Sequence, residues 1–273
     1  MNQGSEVIRS KQNAELKRIR AVARGKDRDW VLLEGRRLVM DAIQAGLEMG
    51  IVLADEGRIT PEDLGDLGKA AAALRWAEGG IMQGLGSLKT TPRVMALARP
   101  PEVRGPAELG DFLRSSEGAV TVLALAGVTD PGNLGALARS AEAFGARALV
   151  LAGEDGARPF GPKALRGSMG SLLRLPVFEI ESVRAAIDLM GASGVQQCTA
   201  KTRGALPLPS FAFAERTVIW MTGETGDAPP AFEDLEGVTI PMQGSVESLN
   251  VNVAGSLLLF ERSRRRGLEH DSP

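Results

Sequence analysis

Ile240-Pro-Met-Gln-Gly-Ser-Val-Glu-Ser-Leu-Asn-Val-Asn-Val-Ala-Gly255 carries a strand end, a loop and a helix start in immediate succession. The residues from Gly237 to Met242 predict a short strand, and Ser248-Leu-Asn-Val-Asn252 predicts the opening of a helix. Ser248 suits the N-cap, where a hydroxyl accepts from the free N–H groups of the first turn. Ser and Asn at such an entry also suit a ligand, so capping and binding both stand as readings.

Composition bounds the rest. The chain has 273 residues, 44% apolar and 24% charged, as in ordinary globular proteins of one large or two modest domains. Its single cysteine, Cys198, excludes an internal disulfide framework and fits a reducing compartment. One Cys and one His, His270 in a polar tail, cannot build a Cys/His zinc site or a Ser-His-Asp or Cys-His triad, so no metal is expected. No apolar run is long enough to cross a bilayer and no basic stretch leads an apolar signal segment. The expectation is a cytoplasmic protein without a membrane partner.

Net charge is −2, yet the charges are unevenly placed. From Met1 to Arg37 ten Lys and Arg stand against five acids, and Arg262, Arg264, Arg265 and Arg266 crowd the end of the last helix. Clustered cations are the electrostatic footprint of phosphate binding. The basic arm, residues 1–28, is therefore read as RNA-facing. The C-terminal cluster fits either RNA or the negative end of a helix dipole.

In chain order, residues 1 to 25 predict a helix with Leu16, Ile19 and Val22 on one face. Strands at Asp29–Glu34 and Ile51–Ala54 and helices at Arg36–Ala45 and Pro61–Ala73 predict a small α/β layer over residues 1–98. Residues 99–118, with three Pro and three Gly, are read as a linker, with a helical turn over Ala107–Arg114. Residues 119–273 then form a second α/β domain. Its AVTVLALAGV run, 119–128, suits a strand buried on both faces of a parallel sheet.

After that strand comes Thr129-Asp-Pro-Gly-Asn-Leu-Gly135, in which Asn133 can cap the following helix and Arg139 can be a plain surface charge. A Gly-rich turn between strand and helix also suggests a dinucleotide site, but the turn reads DPGNLG rather than GxGxxG. Phe160-Gly-Pro-Lys-Ala-Leu-Arg-Gly-Ser-Met-Gly-Ser171 predicts a helix with little side-chain bulk. Thr217–Thr222 predicts an apolar strand entering the turn Gly223-Glu-Thr-Gly226.

Three of these stretches, DPGNLGALARSAEAFGA, KALRGSMGS and IPMQGSVESLNVNVA, resemble in order the motifs of the SpoU/TrmH methyltransferases of the SPOUT class. The EGRRLVMDAI and LKTTPRVMALA segments are similar to that family's L30e/L7Ae-like substrate-binding domain. The resemblance implies an α/β parallel-sheet domain with a trefoil knot behind a smaller L30e-like α/β domain, acting as a homodimer. It implies methyl transfer from S-adenosylmethionine to a ribose 2′-OH of RNA, most readily 23S ribosomal RNA. Transfer RNA as substrate, or a non-catalytic RNA-binding protein, are the alternatives. The site residues carried over are Asn133, Arg139, Glu224, Ser248 and Asn250 for catalysis. Thr222, Gly223, Ile240, Met242 and Leu249 are carried over for the cofactor. Candidate RNA contacts are Lys17, Arg18, Arg20, Arg36, Lys163 and Arg166. A guanidinium stays protonated, so Arg139 is expected to stabilise an alkoxide as it forms rather than to act as the base. Thr222 stands where the family carries Gly, which leaves the alignment of Glu224 open.

Overall fold

The computed structural model describes residues 7–59, 65, 67, 74–223 and 229–267. The chain divides into two compact units, Met1–Pro101 with Phe160–Arg174, and Glu102–Pro159 with Leu175–Pro273. In chain order the elements are β1 (Val7–Ile8), α1 (Ala14–Ala23), β2 (Val31–Glu34), α2 (Arg36–Gln44), β3 (Met49–Asp55), β4 (Leu74–Ala77) and β5 (Val94–Ala98). There follow β6 (Val103–Arg104), α3 (Pro106–Ser115), β7 (Val120–Ala126), α4 (Pro131–Ala143), β8 (Ala148–Ala152), α5 (Pro162–Ser168), α6 (Ser171–Arg174) and β9 (Val177–Ile180). The chain continues with α7 (Val183–Ala192), β10 (Gln196–Ala200), β11 (Leu206–Pro207), β12 (Arg216–Thr222), β13 (Glu236–Thr239) and α8 (Val251–Arg265). The expected helix over Pro61–Ala73 falls almost wholly outside the described residues.

In the first unit the sheet order is β1-β4-β3-β5-β2, with β5 antiparallel to β2 and β3 and the remaining pairs parallel. Successive strand residues point to opposite faces. Trp30, Leu32, Leu53 and Leu97 thus share a core with Leu16, Ile19 and Val22 of α1. The helix expected over residues 1–25 is shorter than its apolar spacing suggested. Asn13 caps α1, its side chain accepting from the Glu15 N–H at 2.8 Å, and Val7–Ile8 upstream pairs with β4.

The second unit is one parallel sheet of order β11-β13-β10-β12-β7-β8-β9-β6. All seven residues of β7 are buried, as a continuous apolar run in a central parallel strand requires. Val120, Val122, Ala124 and Ala126 face a core shared with Leu109 and Leu113 of α3 and Ala186, Ile187 and Met190 of α7. On the opposite face Met221 of β12 lies against α8 at Gly255. The stretch read as a linker is partly built structure. Its Gly105 and Pro106 are the N-cap and first residue of α3, where proline's missing N–H costs nothing. Among the described residues no helix is long and apolar enough to cross a membrane.

α4 and α8 run side by side in the same direction. Ser140 and Ser256 share a hydroxyl hydrogen bond of 2.7 Å, and Phe144 meets Phe260 edge-on with centroids 5.6 Å apart. A Cβ at Gly255 would stand 2.5 Å from Leu137 Cδ2, so a side chain there would have to displace Leu137 from the seam.

Candidate active site

Three loops of the second unit, leaving β10, β12 and β13, meet the first turns of α8 around a cleft of about 250 Å³. Its lining includes Thr222, Gly223, Ile240, Met242, Ser248 and Leu249. All five residues assigned to a cofactor from sequence therefore come together in one place, and Ser248 joins them. Lys201, Val238, Val251 and Ala254 complete much of the wall, and none of these was singled out from sequence. Lys201 is the one charged residue of the lining, and among the described residues its ammonium forms no ion pair.

The loop geometry suits a ligand held by main chain. β13 ends at Thr239, short of the expected Met242, and residues 240–250 form no regular structure. Among the described residues, the amides of Met242, Ser248 and Leu249, which line the cleft, donate to no backbone carbonyl. At Gly223 a Cβ would stand 2.0 Å from the Gly127 carbonyl oxygen, so the β12 exit can pass the β7 exit only as glycine.

Beside the cleft lies the seam of α4 and α8. Both helix entries differ from expectation in the residue that caps them. Asp130, not Asn133, caps α4, accepting from the Asn133 N–H at 2.9 Å. Asn250, not Ser248, caps α8, accepting from the Asn252 N–H at 2.9 Å. In each case the residue with extended backbone at the helix edge takes the role, at ψ 119 for Asp130 and 142 for Asn250. The Asn133 side chain turns to α8 instead, its Oδ1 accepting from Asn252 Nδ2 at 2.7 Å. Arg139, six residues along α4, is exposed and makes no side-chain hydrogen bond or ion pair among the described residues. Glu224 lies outside the described residues.

Several of the candidate cationic residues are engaged within the fold. Arg18 stacks 4.5 Å from the Trp30 centroid and lies 3.7 Å from Asp27, and Arg20 donates to the Lys11 carbonyl at 2.9 Å. Arg166, on α5 of the first unit, pairs with the buried Glu34 at 2.8 Å and donates to Ser87 Oγ at 2.6 Å. Lys17, Arg36 and Lys163 are exposed. Much of the C-terminal basic cluster is structural rather than open to RNA. Arg262 is 3% exposed, donates to the Glu215 carbonyl at 2.7 Å, and has its pKa lowered by burial. Arg265 donates to the carbonyls of Leu208, Pro209 and Phe211, and with Arg264 it holds the Glu261 carboxyl down at about 2 through hydrogen bonds. Burial pushes the Cys198 thiol up to about 12.

Comparison with known proteins gives one family throughout. The family model of the SpoU rRNA methylases matches residues 120–260. The 23S rRNA (adenosine(1067)-2′-O)-methyltransferase of Streptomyces azureus is 31% identical, over 86% of this chain and 86% of its own. A 23S rRNA (guanosine-2′-O-)-methyltransferase of Pseudomonas syringae is 31% identical over 79% of this chain and 81% of its own. Among solved structures, an AdoMet-bound rRNA methyltransferase from Sinorhizobium meliloti superposes with a TM-score of 0.82 at 26% identity, covering 97% of this chain and 99% of that one.

Proposed function

This chain belongs to the SpoU rRNA methylase family, and from that premise we propose that it methylates a ribose 2′-hydroxyl of 23S ribosomal RNA, using S-adenosylmethionine. The observation that carries the reading is the convergence of Thr222, Gly223, Ile240, Met242 and Leu249 on one cleft beside Asn133. The cleft suits this cofactor in kind. Ile240, Met242, Leu249 and Val251 offer an apolar wall to a purine, the loop amides offer donors, and Lys201 offers a cation to a carboxylate. The relatives of similar length act, by their names, on 23S rRNA, which favours that substrate over transfer RNA.

S-adenosylmethionine supplies the activated methyl group. The chain's task is to bring the ribose hydroxyl into line and to hold the charge that develops on it. Arg139 meets the second need, as an exposed guanidinium one and a half turns beyond Asn133. Asn133, Asn250 and Ser248 orient the ribose and the α8 entry. A trefoil threading of the C-terminal segment belongs to the same reading.

The reading includes a homodimer. Val253, Leu257 and Phe260 recur at helical spacing along α8 and are 48%, 39% and 47% exposed, an apolar stripe that a second copy would cover.

The test is methyl transfer from labelled S-adenosylmethionine to 23S rRNA, with the site mapped by reverse-transcription stops at low dNTP. One ribose should be modified, and cofactor binding should persist in excess EDTA. Label on a base, or no transfer to any ribosomal RNA, overturns the reading.

A further inference from the structure

A second cavity, of about 550 Å³, is built wholly by the first unit, where the segments after β3 and β4 meet the loop before β5. Asp55, Gly57, Arg58, Gly79 and Lys89 are among its lining. Asp55 is 4% exposed. Its Oδ1 accepts from the Gly57 N–H at 3.1 Å. Among the described residues nothing donates to Oδ2, yet that oxygen is not closed off from solvent. For a residue so buried, the opening is the cavity that it lines. A buried carboxylate is costly unless a donor reaches it. Two glycines of the lining add a second observation. Neither Gly57 nor Gly79 has a left-handed φ. A Cβ at Gly79 would meet nothing within 4 Å, and one at Gly57 only Asp55 Oδ1 at an ordinary 3.7 Å. Neither turn geometry nor packing calls for glycine at these positions, whereas close approach of a ligand to the backbone does. Lys89 is exposed and forms no ion pair among the described residues. The loop that carries it is fastened on both sides. Buried Glu34 accepts from the N–H groups of Ser87 and Leu88 at 3.0 and 3.2 Å, and Arg58 donates to the Thr91 carbonyl at 2.8 Å.

We propose that this cavity takes a guanine nucleotide of single-stranded RNA, with the Asp55 carboxylate accepting from the Watson–Crick edge of the base. An ionised carboxylate only accepts. Guanine alone among the four bases presents two adjacent ring-edge donors to it, N1–H and N2–H₂, whereas adenine N1 and cytosine N3 are acceptors. Bases splayed out of a single strand are read on this edge by RNA-binding proteins. Lys89 supplies the cation for the nucleotide's phosphate. This site rests on the reading of the chain as one that acts on RNA, and adds to it a recognition nucleotide. It is bound by residues of the first unit, while the cofactor cleft is made by the second.

The experiment uses the full chain and two probes, a single-stranded oligouridine carrying one guanosine and the same strand carrying one adenosine. Affinity and backbone-amide NMR shifts are measured for each. The guanosine strand should bind on the order of tenfold more tightly and should shift the amides of Gly57 and Gly79. Asp55→Asn keeps the size and can still accept from the Gly57 N–H, so it should keep its melting temperature and lose the preference. Gly79→Val places a side chain where the fold leaves open space, so it should also stay folded and lose the preference. Lys89→Ala should weaken both strands alike and lower the salt slope by roughly 0.7. Equal affinity for the two strands, shifts confined to other residues, or a preference that survives in either Asp55→Asn or Gly79→Val would overturn the assignment. Guanosine monophosphate bound as tightly as the guanosine strand would make the occupant a free nucleotide and overturn the assignment to RNA. Neither probe is a methylation substrate by sequence, so the two readings fail separately. A chain that prefers guanosine but methylates no ribosomal RNA keeps this site and loses the proposed function. One that methylates without the preference loses this site alone.

Discussion

At position 139 a guanidinium stands exposed and unpaired among the described residues, whereas Arg166 and Arg262 are tied to a carboxylate and a carbonyl. An unspent cation on the helix that carries Asn133 is what stabilising an alkoxide requires. Arg139→Ala should therefore slow single-turnover methylation on the order of 10²–10³-fold, with S-adenosylmethionine affinity within a few-fold of wild type. Arg139→Lys keeps the charge but loses the planar fork and should also be badly impaired. A near-wild-type rate in Arg139→Ala would remove this residue from the mechanism. Gly223 is constrained instead by backbone. Gly223→Ala would press a methyl group onto the Gly127 carbonyl, so the variant should lose cofactor binding and melt at lower temperature. Unchanged binding would mean that the two loops can part. That Thr222, Gly223, Ile240, Met242 and Leu249 share one cleft was legible in the sequence, because the motif fixes the loop positions that line it. The capping pairs Asp130/Asn133 and Ser248/Asn250 were not legible. Asp, Asn and Ser all cap well, and the backbone angle that selects one of them depends on where the helix is anchored.

The helix α8 serves two purposes along its length. Its first turns wall the cleft and hold Asn133, and its last turns fasten the helix to the loop 208–215. Sequence showed the arginines there but not their partners, which are carbonyls some fifty positions away. A basic run alone cannot distinguish an RNA footprint from such a clamp. Likewise, the two-residue strands β1, β6 and β11 carry too little pattern to be read, whereas the long apolar run of β7 was plain. The clamp makes a pH prediction. Glu261 is held at about 2, below the ordinary glutamate value, so it favours the folded state while ionised in both states. That contribution is present above about pH 4.5 and fades as pH falls through 2. The melting-temperature advantage of wild type over Glu261→Gln should thus be constant from pH 8 to 5 and shrink toward pH 2. It should be small throughout, below about 1 kcal/mol, since Glu261 pairs with partly exposed arginines. An advantage that grows on acidification would show that the pairing does not stabilise the fold.

At the scale of the whole molecule, the chain divides into two compact units. One division falls at Pro101/Glu102, and Phe160–Arg174 groups with the first unit. Buried carboxylates explain the grouping within that unit. Glu34 pairs with Arg166 and Asp41 with Arg174, contacts between residues more than a hundred positions apart. The α8 stripe predicts a dimer that Leu257→Glu disperses in sedimentation, and a wild-type monomer at micromolar concentration would refute it. The charges of the basic arm divide by their partners. Arg18 and Arg20 are held by Trp30, Asp27 and the Lys11 carbonyl, so replacing them tests stability as much as binding. Lys17, Arg24, Lys26 and Arg28 are exposed, and among the described residues their side chains form no ion pair. They are the cleaner probes. If they lie along RNA phosphates, replacing all four by Ala should weaken RNA binding and flatten the dependence of log affinity on log salt. The slope should fall by roughly 0.7–0.9 for each phosphate that the arm no longer neutralises. The melting temperature should hardly move, because exposed charges without partners contribute little to folding. Turnover at saturating RNA should persist, since none of the four belongs to the cleft or to the α4–α8 seam. An unchanged affinity and slope would make the arm an ordinary solvated helix face and place RNA recognition elsewhere on the chain.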